Sequence, residues 1–173
     1  MVDENWFLQE EDLLIENYLS EYNIFMHSLP EFLRRKECVS GINRVRRLKH
    51  RSSSELNIEV APGDICYIDY GQVYINEAGY QHFGLVISEF NDKLFVVPMT
   101  SNKEMLKRSS GPNRRRHLYN IGRVMGLNRP SVLFLNDCKY INSSRIISVN
   151  AHICPDSDMF AEISSLLKSN LFP

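Results

Sequence analysis

The sequence predicts an α+β protein: a small, twisted, partly closed β-barrel with a helical N-terminal extension and a closing C-terminal helix. Three observations predict it. Short runs of β-branched and aromatic residues recur from residue 64 to 142, divided by turn-forming pairs. The stretch "DSDMFAEISSLLKSNLF" at the end has helical periodicity. The opening segment is also helical in pattern, but acidic and separated from the strands by a basic stretch.

In chain order, residues 3 to 28 read as a helix capped by Asp3. Trp6, Phe7, Leu13, Leu14, Tyr18, Phe25 and Met26 recur at three- and four-residue spacing. Pro30 breaks it. A shorter helix is expected from about 31 to 39, ending near Ser40-Gly41. "NRVRRLKHRSSSE" then reads as a linker or an exposed helix tail. The extension is thus placed at 1–58 and the barrel with its C-terminal helix at 59–173. In "GDICYIDYG", Ile65, Tyr67 and Asp69 face one way and Cys66, Ile68 and Tyr70 the other. "FGLVIS", "LFVVPM", "SVLFLN" and "CKYIN" follow as strands, with turns at Asn91-Asp92, Gly111-Pro112 and Asn136-Asp137. Asp156 or Ser157 caps the final helix, whose apolar face is Met159, Phe160, Ile163, Leu166 and Leu167.

Composition narrows the function classes. The 173 residues are 43% hydrophobic and 24% charged, as in an ordinary globular chain. No apolar run is long enough to span a bilayer, and the first residues lack the basic, apolar pattern of a secretory signal, which points to the cytoplasm. Cys38, Cys66, Cys138 and Cys154 have no metal-site spacing and read as reduced thiols. No cofactor or metal is expected. The net charge of −1 conceals an asymmetry: residues 1–33 carry eight acids and no Lys or Arg, whereas residues 34–51 carry eight Lys or Arg and one acid, Glu37. Local charge is therefore the informative quantity.

The pieces "PGDICYIDYG", "GYQHFGLVIS", "VVPMTS" and "SVLFLNDCKYINSSRI" occur in that order over residues 61–149. In this they resemble the MazF/PemK family of toxin ribonucleases. The resemblance implies an SH3-like barrel, often a homodimer, that cleaves single-stranded RNA sequence-specifically without a metal and is held in check by an antitoxin. "FGLVIS" and "TSNK" are also similar to the ToxN-like endoribonucleases, whose antitoxin is an RNA. The family's Arg before the LVIS strand falls on His82 and its Pro on Phe83. Its Thr or Ser after the second strand falls on Thr100 and Ser101, and the ToxN-like pattern adds Lys103.

RNA cleavage through its own 2′-hydroxyl needs a base, a group that stabilises the phosphorane and an acid for the 5′-oxygen. An imidazole suits the first or last role, since both its forms exist near neutral pH, whereas Arg stays protonated. His82 is the acid–base candidate, Thr100 and Ser101 offer hydroxyls, and Lys103 offers a cation. Gln81 beside His82 is a candidate RNA contact. The basic segment "KEMLKRSSGPNRRRHLYNIGR" reads as a flexible loop in which Arg114, Arg115, Arg116 and His117 hold phosphates and Tyr119 stacks a base. Glu77 and Arg145 also match family positions; Arg145 could instead anchor a strand end. The rival is a barrel that binds nucleic acid or a protein without cutting. The extension could mask the basic groove, mediate dimerisation or antitoxin binding, or simply cover apolar barrel surface.

Overall fold

The computed structural model of the chain describes residues 10–72 and 74–171. The expected cap Asp3, together with Trp6 and Phe7, lies outside them. The chain divides into two compact units, Met1–Val39 and Ser40–Pro173.

The first unit holds α1 (Glu11–Ser28) and the start of α2 (Glu31–Arg47). Pro30 separates the helices as expected. Arg34 closes the corner by donating from Nε to the Met26 carbonyl and from Nη2 to the Leu29 carbonyl, both at 2.9 Å. These acceptors are carbonyls that the end of α1 leaves without intrahelical donors. Tyr22 donates to Glu37 across the hairpin at 3.0 Å, and its ring stacks on Tyr18.

The helix expected to end near Ser40-Gly41 instead runs on to Arg47. The cause is tertiary. Ser40 donates to Asp69 Oδ1 at 2.7 Å and Asn43 to Asp69 Oδ2 at 2.6 Å, while Arg47 donates to the carbonyls of Ser144 and Ile146. Polar residues that read as a helix stop and a linker are thus fastened to the second unit's strands.

That unit is a seven-stranded antiparallel sheet: β1 (Asp64–Asp69), β2 (Gln81–Phe90), β3 (Lys93–Thr100), β4 (Leu118–Gly122), β5 (Ser131–Phe134), β6 (Lys139–Asn142) and β7 (Ile146–His152). The order is β4-β5-β3-β2-β1-β7, with β6 also on β3. Asn91 and Asp92 both take positive φ, 49° and 61°, in a two-residue hairpin joining Phe90 to Lys93. That is the backbone a tight turn between right-twisted strands requires. The segment expected to be one flexible basic loop contains a short helix, α3 (Lys103–Arg108), and β4. Asn102 caps α3 by accepting from the N–H groups of Glu104 and Met105, and Leu118 and Ile121 of β4 enter the core.

The alternation read in "GDICYID" divides the apolar residues between two clusters. Ile65 joins Leu85, Val97, Leu133 and Leu135 under α4 (Asp158–Leu171), which contributes Phe160, Ile163 and Leu167. Cys66, Ile68 and Tyr70 join Val86, Val96, Ile141 and Ile146, with Ile58 and Val60 packed against them. Ser157 caps α4, accepting from the Phe160 N–H. Burial pushes the Cys66 thiol up to about 12, so it behaves as an inert core group. Among the described residues no helix is long and apolar enough to cross a membrane.

Gly84 is a close-packing point. A Cβ there would meet the Tyr70 hydroxyl oxygen at 2.1 Å and Ile68 Cδ1 at 3.0 Å. The Tyr70 hydroxyl is buried and has no hydrogen-bond partner among the described residues. Gly84→Ala is therefore expected to cost about 1–3 kcal/mol by overpacking. Tyr70→Phe should be neutral or stabilising, because it removes an unsatisfied polar atom. The double variant should recover part of the Gly84→Ala loss in urea unfolding; strictly additive effects would contradict this packing.

Candidate functional site

Strands β2 and β3 are paired from the hairpin down to Gly84 and Pro98. Beyond that point β2 stays paired with β1, Gln81 opposite Asp69, while Met99 and Thr100 pair with Leu133 and Val132 of β5. Proline has no N–H to continue a ladder. The two strands therefore part at Pro98, each held by its other neighbour.

A cavity of about 270 Å³ lies at this parting. Phe83 lines it from β2, Met99, Thr100 and Ser101 from β3, Ser131 from β5 and Asn150 from β7. The loop Gly126–Arg129 closes the side. Gly126 has φ +94°, and a Cβ there would come within 2.4 Å of the Asn150 carbonyl oxygen. Only glycine lets this loop settle against β7 and carry Asn128 and Arg129 to the cavity wall. The ring of Phe83 rests 5.1 Å from that of Tyr67. The lining offers hydroxyls, amides and one guanidinium, and no carboxylate. It is a donor-rich, net positive recess suited to an oxyanion. The Thr100 Oγ1 accepts from the Asn102 N–H at 3.2 Å, which leaves its own proton to be donated.

The residues singled out in the sequence are distributed unevenly around this recess. Thr100 and Ser101 line it. His82 is one residue from Phe83 on β2 but does not line it. Its Nδ1 lies against the Gly79 carbonyl oxygen, so Nδ1 carries the proton and Nε2 is the acceptor of the neutral ring. The neck of the 71–80 loop fixes this position: Tyr70 and Tyr80 donate N–H to the carbonyls of Tyr80 and Gly71, and the Ala78 N–H donates to Asp137 at 2.6 Å. Gln81 donates its amide to Asp69 at 3.0 Å. Lys103 is exposed at the start of α3, and Glu77 is exposed in its loop.

Arg114, Arg115 and Arg116 lie exposed in the turn between α3 and β4, with His117 half-buried beside them. None of the four lines the cavity. Tyr119 donates its hydroxyl to Glu162 of α4 at 2.7 Å, and burial together with that carboxylate pushes the phenol up to about 12. The cation that does reach the cavity, Arg129, was not singled out in the sequence. Its signal is "GLNRPS", a Gly-containing turn with an arginine just before a strand.

Asp69 is a second polar centre, 5% exposed at the end of β1. Burial alone would raise its carboxyl, but donors from Ser40, Asn43 and Gln81 and the Gly71 N–H outweigh that and hold it below the ordinary 3.8. Arg145 supports the same corner, donating from Nη1 to the Tyr70 carbonyl at 2.8 Å.

No family model matches the sequence, and no curated protein matches it. Among solved structures the chain is similar to MazF from Deinococcus radiodurans, with 18% identity, a TM-score of 0.48 and coverage of 66% of this chain and 96% of that one. It is similar to an endoribonuclease in complex with its cognate antitoxin from a mycobacterial species, with 12% identity, a TM-score of 0.47 and coverage of 66% and 98%. It is also similar to the Mycobacterium tuberculosis toxin MazF-mt6, with 12% identity, a TM-score of 0.45 and coverage of 62% and 95%.

Because the folded-state pKa of Asp69 is depressed, its stabilising contribution is complete above the ordinary 3.8 and is lost as pH falls through the lowered value. Acid unfolding of the wild type should therefore contain a component below about pH 4 that Asp69→Asn lacks, with the variant less stable at pH 7. Parallel acid-unfolding curves would contradict this assignment. Gly126→Ala should displace the Arg129 loop from β7 and shift the backbone amides of Leu127, Asn128 and Ala151; unmoved amides would show that glycine is not needed for the loop's seat.

Proposed function

We propose that the chain is the toxin component of a toxin–antitoxin pair. In this reading it is an endoribonuclease that cuts single-stranded RNA by attack of the 2′-hydroxyl on the adjacent phosphate, without a metal. The observation that carries the reading is the recess at the strand parting, where a guanidinium and several hydroxyls converge with no acid among them. The motif that ends at Thr100-Ser101 contributes to its lining, and GYQHFGLVIS contributes Phe83, the residue after His82.

The chemistry follows from donor types. A phosphodiester seated in the recess gains charge on its non-bridging oxygens as the 2′-oxygen attacks. Thr100 donates its hydroxyl proton there, Ser101 offers a second, and Arg129 supplies the fixed positive charge. His82, with Nδ1 committed to Gly79, presents Nε2 as the base that takes the 2′-proton and later returns one to the departing 5′-oxygen. The products are a 2′,3′-cyclic phosphate and a 5′-hydroxyl. The exposed Arg114–Arg116 turn and Lys103 draw the RNA in electrostatically. Gln81, His117 and Tyr119 complete the proposed RNA contacts. The protein acts in the cytoplasm as a homodimer, and a protein or RNA antitoxin restrains it by covering the recess.

One observation favours a second reading, a barrel that binds RNA and leaves it intact: His82 does not line the recess. The two readings separate in a single assay. The purified protein is incubated with long single-stranded RNA in excess EDTA and the product ends are mapped. The proposal predicts discrete cuts ending in cyclic phosphate. Thr100→Ala and Arg129→Ala should each slow cutting by about 10²–10³-fold, and His82→Ala by about 10²–10⁴-fold. RNA that is bound but uncut selects the second reading. Cutting that survives all three substitutions removes this site from the mechanism.

A further inference from the structure

A second cleft, of about 430 Å³, lies within the second unit between residues 40–48 of α2, the end of β1 and the short 3-10 turn Ser143–Arg145. We propose that it is a phosphodiester seat for the same single strand of RNA, extending the substrate path beyond the strand parting. It rests on the reading of that recess as the RNA site, and deepens it.

The charge arrangement carries the inference. Arg44, Arg47 and Arg145 all line the cleft, and none forms an ion pair among the described residues. Two of them are pinned. Arg47 donates from Nη1 to the carbonyls of Ser144 at 2.9 Å and Ile146 at 2.6 Å. Arg145 donates from Nη1 to the carbonyls of Tyr70 at 2.8 Å and Asp69 at 3.5 Å. In both, the Nε and Nη2 donors take no protein acceptor among the described residues. That edge of a guanidinium is one that grips a phosphate with two parallel hydrogen bonds. Arg44 has no hydrogen-bond acceptor among the described residues.

The one acid in the cleft offsets only part of their charge. Asp69 accepts from Ser40, Asn43, Gln81 and the Gly71 N–H, four uncharged donors. Three guanidiniums around a cleft that holds one carboxylate leave a net positive charge there, and an anion offsets it. His50, which also lines the cleft, faces Glu55 with Nδ1 3.4 Å from Oε2.

The cleft is also placed for a strand. Gln81, opposite Asp69, donates to that carboxylate at the cleft's edge, and Phe83 lines the recess. Two strand residues span only about 7 Å; His82, between them in sequence, pairs with Ile68 and projects to the other face. A chain of phosphates crossing this end of the sheet would meet Arg44, Arg47 and Arg145 at the Gln81 end and Thr100, Ser101 and Arg129 at the Phe83 end. Arg44 and Arg47, from the basic stretch NRVRRLKHRSSSE that reads as a linker in the sequence, then have a binding role.

The test uses the full chain and a short fluorescent 2′-O-methyl oligoribonucleotide, which cannot be cut through its 2′-oxygen. Binding is followed by anisotropy over a salt series for wild type and Arg44→Gln. Arg44 is exposed, so its thermal midpoint should stay put. The expected result is an affinity about fivefold to tenfold lower and a log K against log salt slope shallower by about 0.7. Unchanged affinity and slope overturn the proposal, even if RNA is cut. Binding that depends on Arg44 while RNA stays uncut overturns the ribonuclease reading alone.

Discussion

The structure turns on the point where β2 and β3 separate. Down to Gly84 and Pro98 the strands share one ladder; past it each keeps only its other neighbour. A proline at that register position removes the donor that would have continued the pairing. A glycine opposite gives the Tyr70 ring room to fill the core beneath. Two small local choices thus open a recess within the sheet. The clusters around Ile65 and around Ile68 take Leu85, Val97, Val86 and Val96 from the stretch where β2 and β3 are still paired, and the rest from neighbouring elements.

Electrostatics then gives the opened end a character. The recess carries Arg129 and no acid, and the neighbouring cleft carries three arginines against one carboxylate already satisfied by neutral donors. Together these cations give this end of the sheet a positive potential that attracts an anion. Asp69 has a different task. By accepting from Ser40 and Asn43 it ties the end of α2 to β1, and so holds Arg44 and Arg47 over the sheet. Stability and binding are connected through that one carboxylate.

Much of the barrel was legible because its signals are local. Alternation in "GDICYID" assigned Ile65 to one cluster and Cys66 and Ile68 to the other, Asn91-Asp92 announced a tight hairpin, and the spacing of Phe160, Ile163 and Leu167 gave the face of α4. What was missed depends on distant partners. Helix α2 passes Ser40-Gly41 because Asp69, far along the chain, holds it. Strand β4 hides in a basic run because Leu118 and Ile121 alone mark its buried face. Of the site, Thr100 and Ser101 were visible as a strand-end motif. Arg129 was not, since it reaches the recess only because Gly126 can lie against the Asn150 backbone. His82 was legible as chemistry, but its orientation is set by Gly79 and the anchored loop, which no spacing rule supplies.

The central claim is that the parting of β2 and β3 is where a phosphate backbone binds. Backbone amide shifts of isotope-labelled protein, recorded while a non-cleavable 2′-O-methyl oligoribonucleotide is added, test it most directly. The account predicts that the largest changes fall on Phe83, Thr100, Ser101 and Asn128, around the recess. Saturating binding that leaves these amides unmoved and shifts another surface would contradict it.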